Sequence, residues 1–200
     1  PWLQEIQVYE TLKKIQKELL GPANSCSSSD GAELKKYIDF IKNISEEKII
    51  YIDESGIDKF LQREYGWNKK GYQVHGTTFG RRYVRESFVA GIVKNKIIAP
   101  FCFNGTCDSS LFNLWLKKIL LPVLKPGQVI VMDNASFHKS QKTRELISKA
   151  GCTLLFLPPY SPDLNPIEKF WANLKRKIRK IKGKFTSLQN TIDYAFNSFG

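Results

Sequence analysis

Three acidic residues sit where a shared cation could hold them. Asp53 directly follows the β-branched and aromatic run Ile49-Ile50-Tyr51-Ile52, and Asp133 directly follows Val129-Ile130-Val131-Met132. Both runs read as short buried strands. If the two strands are neighbours, two carboxylates meet at one sheet edge, where their repulsion is costly unless a cation lies between them. Magnesium, a hard ion that takes oxygen ligands, is the natural occupant. Either aspartate taken alone equally suits the turn that follows its strand; the matched placement of the pair favours the metal. Glu168 supplies a third carboxylate, near the start of a helix announced by Asn165-Pro166. It also occupies the capping-box position, which is compatible with ligation.

The same helix carries the strongest charge in the chain. Residues 165–184 hold eight basic residues and one acid. Ile167, Phe170, Trp171, Leu174, Ile178 and Ile181 form its apolar stripe, and Glu168 falls on the flank in line with Ala172, Lys175 and Arg179. A basic face of one sign suits phosphate, so Lys169, Lys175, Arg176, Arg179 and Lys182 are the candidate DNA contacts, positioning without reading sequence. A solvated surface is the alternative for that face. In MDNASFHKS, Asn134 and His138 follow Asp133 closely and are expected to orient neighbours rather than bind metal. Glu54 is adjacent to Asp53 and should point to the opposite face of an extended strand, away from the metal. Asp163, within PPYSPDLNP, reads as a turn residue.

These residues need a frame. Two hundred residues, 42% hydrophobic and 12% aromatic, suffice for one good core. An amphipathic helix with Leu12, Ile15, Leu19 and Leu20 precedes a serine-rich linker, ANSCSSSDG, and a second helix is expected over 32–43. Strands follow at Ile49–Ile52, at 82–93 and at 96–103, with Asn95 in the turn between the last two. A helix is expected over about 108–120, closed by Pro122. After the 129–132 strand come a polar helix over about 139–149 that stops at Gly151, a strand over 153–157, the basic helix from Pro166 to about Ile181, and a weaker helix with Leu188, Ile192 and Phe196. Residues 61–81 read as a loop or short hairpin. Three strands, helix, strand, helix, strand, helix describe an α/β fold, a mixed sheet flanked by helices. The division expected is an N-terminal helical segment and linker over 1–47 and a catalytic domain over 48–200.

Lysine and arginine outnumber acids 31 to 19, for a net charge of +12. Residues 1–50 carry seven basic and eight acidic residues, so the positive excess lies downstream. A polyanionic partner is implied. No apolar run is long enough to span a bilayer, and the start lacks a secretory pattern, so no membrane association is expected. Cys26, Cys102, Cys107 and Cys152 form no C-x-x-C pair and read as reduced thiols of a cytoplasmic protein rather than zinc ligands.

Taken together, YIDESGI, VMDNASFHKS and LPPYSPDLNPIEKFWANLK resemble the three motif blocks of the DDE transposases, the superfamily that unites mariner elements with bacterial insertion sequences. The 34 residues between Asp133 and Glu168 suit that spacing. The resemblance covers residues 48 to about 182 and implies a ribonuclease H-like fold. It further implies that Asp53, Asp133 and Glu168 hold two Mg2+ or Mn2+ ions for DNA strand cleavage and strand transfer, in a homodimer on transposon ends and target DNA, within the cytoplasm of a bacterial, nucleoid-associated setting. Two ions roughly 4 Å apart clamp the attacking and leaving oxygens of an in-line phosphoryl displacement. Competing readings are a Holliday-junction resolvase, a ribonuclease H-type nuclease, or an inactive DNA-binding remnant. About 45 residues precede the first strand, fewer than two helix-turn-helix readers need, so the chain reads as a fragment, an excised domain or a decayed copy. It is therefore expected to nick or bind DNA with little sequence specificity. A thousandfold preference for terminal-repeat over random DNA in a binding assay would contradict that.

Overall fold

The computed structural model describes residues 28–58, 69–72, 85–159 and 161–199. The amphipathic stretch of the first 21 residues and most of the 61–81 segment lie outside the described residues. The first described helix, α1, spans Ser28–Lys42. It begins inside the serine-rich segment expected to be linker, and the chain beyond packs through buried Tyr37 and Ile38.

Five strands form one sheet: β1 (Ile49–Asp58), β2 (Arg85–Val93), β3 (Lys96–Asn104), β4 (Val129–Met132) and β5 (Thr153–Phe156), in the spatial order β3-β2-β1-β4-β5. β1 to β3 are antiparallel, and β4 and β5 run parallel to β1. The β2–β3 hairpin turns through Lys94 and Asn95, both with positive φ, as a two-residue turn matched to strand twist requires. β1 is longer than its apolar run suggested. It pairs with β4 only over Ile49 to Tyr51, but with β2 from Tyr51 to Asp58, so Glu54-Ser55-Gly56 is held as strand by its antiparallel neighbour alone. Asp53 thus lies within a strand, just beyond the point where the sheet opens between β1 and β4.

Helices cover both faces. On one face Ile50, Ile52, Ile130 and Met132 pack beneath Phe112, Trp115, Leu116, Leu120 and Ile147. These come from α2 (Ser109–Trp115), the wide turn that continues it, and α3 (Gln141–Lys149). The single helix expected over 108–120 is instead an α-helix to Trp115, a π-helical turn over Leu116–Leu120 and a 3-10 turn over Leu121–Val123 containing Pro122. Widening leaves both Leu116 and Leu120 fully buried, and Pro122 lacks the N–H that would prolong an α-helix. α3 begins at Gln141, capped by Ser140, whose hydroxyl accepts from the Thr143 N–H at 3.1 Å. A 3-10 turn, Ser136–Lys139, precedes it.

The opposite face receives α4 (Ile167–Ile181) and α5 (Leu188–Asn197). Ile167, Trp171, Leu174 and Ile178 of α4 bury against Phe88, Ala90 and Ile92 of β2 and Ile57 of β1. The Trp171 and Phe88 rings lie 5.0 Å apart. α1 covers the remainder of this face, over Ile49, Val129 and Val131. Side chains alternate along a strand, so Asp53 and Asp133, in step with Tyr51 and Val131, belong to the α4 face.

Trp171 anchors the helix that carries Glu168. Replacing it with alanine is expected to destabilise the fold by about 3–5 kcal/mol, whereas Leu114→Ala, on the exposed side of α2, should change stability by no more than about 0.5 kcal/mol. Urea unfolding of the two variants checks the contrast.

Candidate active site

Two of the three acids arrive by strand register. Tyr51 of β1 pairs with Val131 of β4, so Asp53 and Asp133, each two residues further on, occupy equivalent places at the carboxyl end of neighbouring parallel strands. Asp53 is 9% exposed, with Ala90 as its partner on β2. That small neighbour leaves room on the α4 side. Asp133 is half exposed and follows the last residue of β4.

Glu168 comes from α4. The helix is capped at Pro166 with no side-chain hydrogen bond, and the Asn165 Oδ1 atom is buried without a partner. A capping box would need an N–H at the cap, which proline lacks. Glu168 therefore makes no such box and lies exposed in the first turn of α4.

The charges of these groups meet. Burial pushes the Asp53 carboxyl up to about 8, and the negative charges of Glu168, Glu54 and Asp133 add to that shift. Asp133 is held below the ordinary carboxylate range, chiefly by a hydrogen bond from His138. Lys175 lies on the same line of α4 as Glu168. Burial lowers its pKa, the charges of Glu168 and Asp53 oppose that shift, and Arg85 and Arg179 reinforce it. As the side chains stand, no three histidines, cysteines or acids among the described residues could hold one ion between them. Asp53 nonetheless lies within the electrostatic reach of Glu168, Glu54 and Asp133. Hard oxygen donors with unrelieved negative charge fit a divalent cation of the magnesium type, which commonly takes one or two carboxylates and completes its sphere with water and substrate phosphate.

His138 joins the two sides of the sheet. Its ring is fully buried, with Nδ1 2.6 Å from Asp133 Oδ1 and Nε2 2.9 Å from Glu54 Oε1. Burial disfavours a charged ring, but the hydrogen bonds to Asp133 and Glu54 prevail and raise its pKa to about 9. Glu54, expected to point away from the metal, does lie on the other face by strand alternation, yet His138 ties it to Asp133. Asn134 faces elsewhere. Its Nδ2 donates to the Leu157 carbonyl at 2.6 Å, lacing the end of β4 to the end of β5.

The basic residues of α4 divide by surroundings. Lys169, Arg176 and Arg179 are exposed, while Lys175 and Lys182 are half-buried. Arg176 donates to Asn173 Oδ1 at 3.1 Å. Arg85 was not foreseen. Its guanidinium lies where a side chain on Gly56 would stand, across the strand pair from α4. A glycine inside a strand signals such close approach, and Gly56 was the available clue.

These shifts dictate a pH response. The Asp53 carboxyl has a raised pKa in the fold, so between about pH 4 and 8 the folded protein binds a proton that the unfolded chain has released. Stability falls as pH rises across that window. His138, also raised, adds a loss in the same direction between about 6.5 and 9. Asp133 is lowered, so its contribution is lost only in acid, as pH falls through its depressed value. Thermal unfolding in chelator should show a melting temperature that drops from pH 5 to pH 8. In Asp53→Asn the part of that drop below about pH 6.5 should vanish. A flat or rising profile in the parent protein would contradict the burial of charge at Asp53.

Residues 48–192 match the family described as DDE superfamily endonuclease. The Tc3 transposase of Caenorhabditis elegans is 37% identical over 180 residues, covering 82% of this chain and 52% of its own length. The Tcb2 transposase of Caenorhabditis briggsae is 31% identical over 161 residues, 70% of this chain and 57% of its own. An insertion element IS630 protein of Shigella sonnei is 26% identical over 141 residues, 68% of this chain and 40% of its own. The chain thus spans about half the length of these relatives. The Mos1 strand transfer complex has a similar fold, with a TM-score of 0.60 at 13% identity over 93% of this chain and 66% of that one. A Mos1 paired-end complex with Mn gives 0.59 at 14% identity, over 93% and 67%. The sheet order and these likenesses establish the ribonuclease H-like fold. By family, the chain belongs to the DDE superfamily endonucleases, on the branch of the mariner-type and IS630 transposases.

Proposed function

We propose that the chain is the catalytic core of a transposase, which cuts DNA strands and joins the freed 3′ ends to target DNA. The observation that carries this reading is the buried Asp53 carboxyl, pushed up to about 8 beside the charges of Glu168 and Asp133 at the open end of the β1–β4 pair. Asp53, Asp133 and Glu168 would hold Mg2+ or Mn2+, two ions in all. When bound, such ions neutralise charge on the phosphate under attack and lower the pKa of water or of a 3′-hydroxyl so that it can act as nucleophile. Relatives described as transposases and neighbours solved with Mn and with Mg support that assignment.

The chain's own residues then position DNA. Lys175, beside Glu168, meets the phosphates nearest the acids. Arg179 and Lys182 continue the track along α4, and Lys169 and Arg176 flank it. Their charge neutralises backbone without selecting bases. No covalent protein intermediate is needed, so a nucleophilic side chain at this site is not required. Two copies would be needed to hold two element ends, and the DNA-holding compartment is where the chain would act. Among the described residues no helix is long and apolar enough to cross a membrane.

The test is cleavage of a DNA duplex carrying element ends. Asp53→Asn, Asp133→Asn and Glu168→Gln should each reduce Mn2+-dependent cleavage by at least about a thousandfold while DNA binding persists. Lys175→Ala with Arg179→Ala should weaken binding alike on all sequences and reduce the salt slope by about two. Cleavage that survives Asp53→Asn would refute the triad. Binding without any cleavage in the parent chain, on linear, branched and hybrid duplexes alike, would favour a remnant.

A further inference from the structure

Glu54 has no place in the triad, yet its carboxylate is held inside the fold. Its carboxylate is 15% exposed and lies 2.9 Å from Nε2 of a fully buried imidazole whose Nδ1 is 2.6 Å from Asp133. The ring is also packed between aromatic neighbours. Phe112 and Phe137 press on it with centroids at 4.5 and 4.3 Å, and the 3-10 turn Ser136–Lys139 fixes its backbone. Asp133 itself is otherwise held by a hydrogen bond from the Ala135 N–H, which reaches the same oxygen, Oδ1, at 3.0 Å. One oxygen of Asp133 is thereby occupied by the protein and the other is left for a ligand. Cys107 also reaches the Glu54 carboxylate: burial and the Glu54 charge push its thiol up to about 12, and the neutral S–H donates to Glu54.

We infer that Glu54 is a positioning residue for the metal-holding carboxylate Asp133, acting through His138 to fix which oxygen of Asp133 faces the site. This rests on the metal reading of Asp133 given above. The physical logic is that both ring nitrogens face carboxylates, which only accept hydrogen bonds, so each nitrogen must donate. Glu54 fixes the ring's orientation, and the ring fixes Asp133. It also balances charge, since an imidazolium between two carboxylates leaves less repulsion at the sheet edge than Asp133 and Glu54 would alone. Removing Glu54 takes away the Nε2 contact and leaves packing alone to hold the imidazole against Asp133. Asp133 then loses its fixed orientation, though neither its charge nor its place on the chain has changed.

The experiment uses the full chain labelled with 15N-histidine, without DNA. It follows the His138 ring nitrogens by NMR as Mn2+ is added, reading the metal concentration at which paramagnetic broadening is half complete. Glu54→Gln, an isosteric change, should shift the ring-nitrogen resonances before metal is added and move the broadening midpoint to roughly 10–100-fold higher Mn2+. In cleavage assays the same variant should need more Mn2+ for half-maximal rate, while its rate at saturating Mn2+ stays within a few-fold of the parent. Asp133→Asn is the control that should abolish broadening. An unchanged midpoint in Glu54→Gln, with Asp133→Asn defective, overturns the inference and leaves the triad intact. A parent midpoint that Asp133→Asn does not move, or no broadening in the parent, overturns the triad itself. A Glu54→Gln protein that unfolds on its own, shown by loss of dispersed resonances, would assign Glu54 to the fold and likewise overturn the inference.

Discussion

Negative charge crowded at a buried sheet edge is the constraint around which the rest of this molecule is arranged. Asp53 lies on the face that receives α4, partnered on β2 only by Ala90, with the carboxylates of Glu168, Glu54 and Asp133 close enough to raise its pKa. Asp53 itself is largely removed from water, so the repulsion it feels is stronger than it would be at the surface. The fold tolerates it because the sheet opens at this point. β4 ends at Met132 while β1 continues, and the gap gives the carboxylates an outlet toward solvent and ligand.

Positive groups are then distributed so as to relieve that charge without quenching it. His138 pairs with Asp133 and Glu54 from the interior, whereas half-buried Lys175 on α4 feels the charges of Glu168 and Asp53. None of the cations of α4 forms a direct ion pair with Asp53 among the described contacts, so the acids keep their capacity for a divalent ion. A site of this kind sacrifices stability for function, as functional sites often do. The cost is carried by the cores on either side, where Trp115, Phe112 and Met132 fill one face and Trp171, Phe88 and Leu174 the other.

The division of labour among helices follows from the same constraint. α4 must deliver an acid at its first turn and a basic line further along, while its opposite side supplies the apolar stripe that seals β2. A single amphipathic helix meets all three demands because positions seven and eleven residues beyond Glu168, Lys175 and Arg179, return to nearly the same side. α2, π-widened at Leu116–Leu120, presses Phe112 against His138, and the 3-10 turn Ser136–Lys139 sets Phe137 beside it, so the far face of the sheet also contributes to the site.

Much of this was legible in the residues themselves. Short β-branched runs, the Asn95 turn and the Trp171 stripe are local patterns, and local patterns survive in sequence because each element must bury one face. The matched position of Asp53 and Asp133 could be named before the strands were known to be neighbours. What the sequence could not give was decided by contacts between distant segments. β1 extends through Glu54-Ser55-Gly56 because β2 pairs with it, a fact no local propensity encodes. Asn165 does not cap its helix, and Arg85 comes to lie across Gly56, because packing outweighs local preference. Glu54 meets His138 across 84 positions of chain. Alternation along the strand correctly turned Glu54 to the other face, but only the tertiary structure brought a buried imidazole around the strand ends to reconnect it. Sequence determines which groups carry charge and which side of an element they occupy; the distances at which those charges meet belong to the folded chain, because they depend on every layer packed between them.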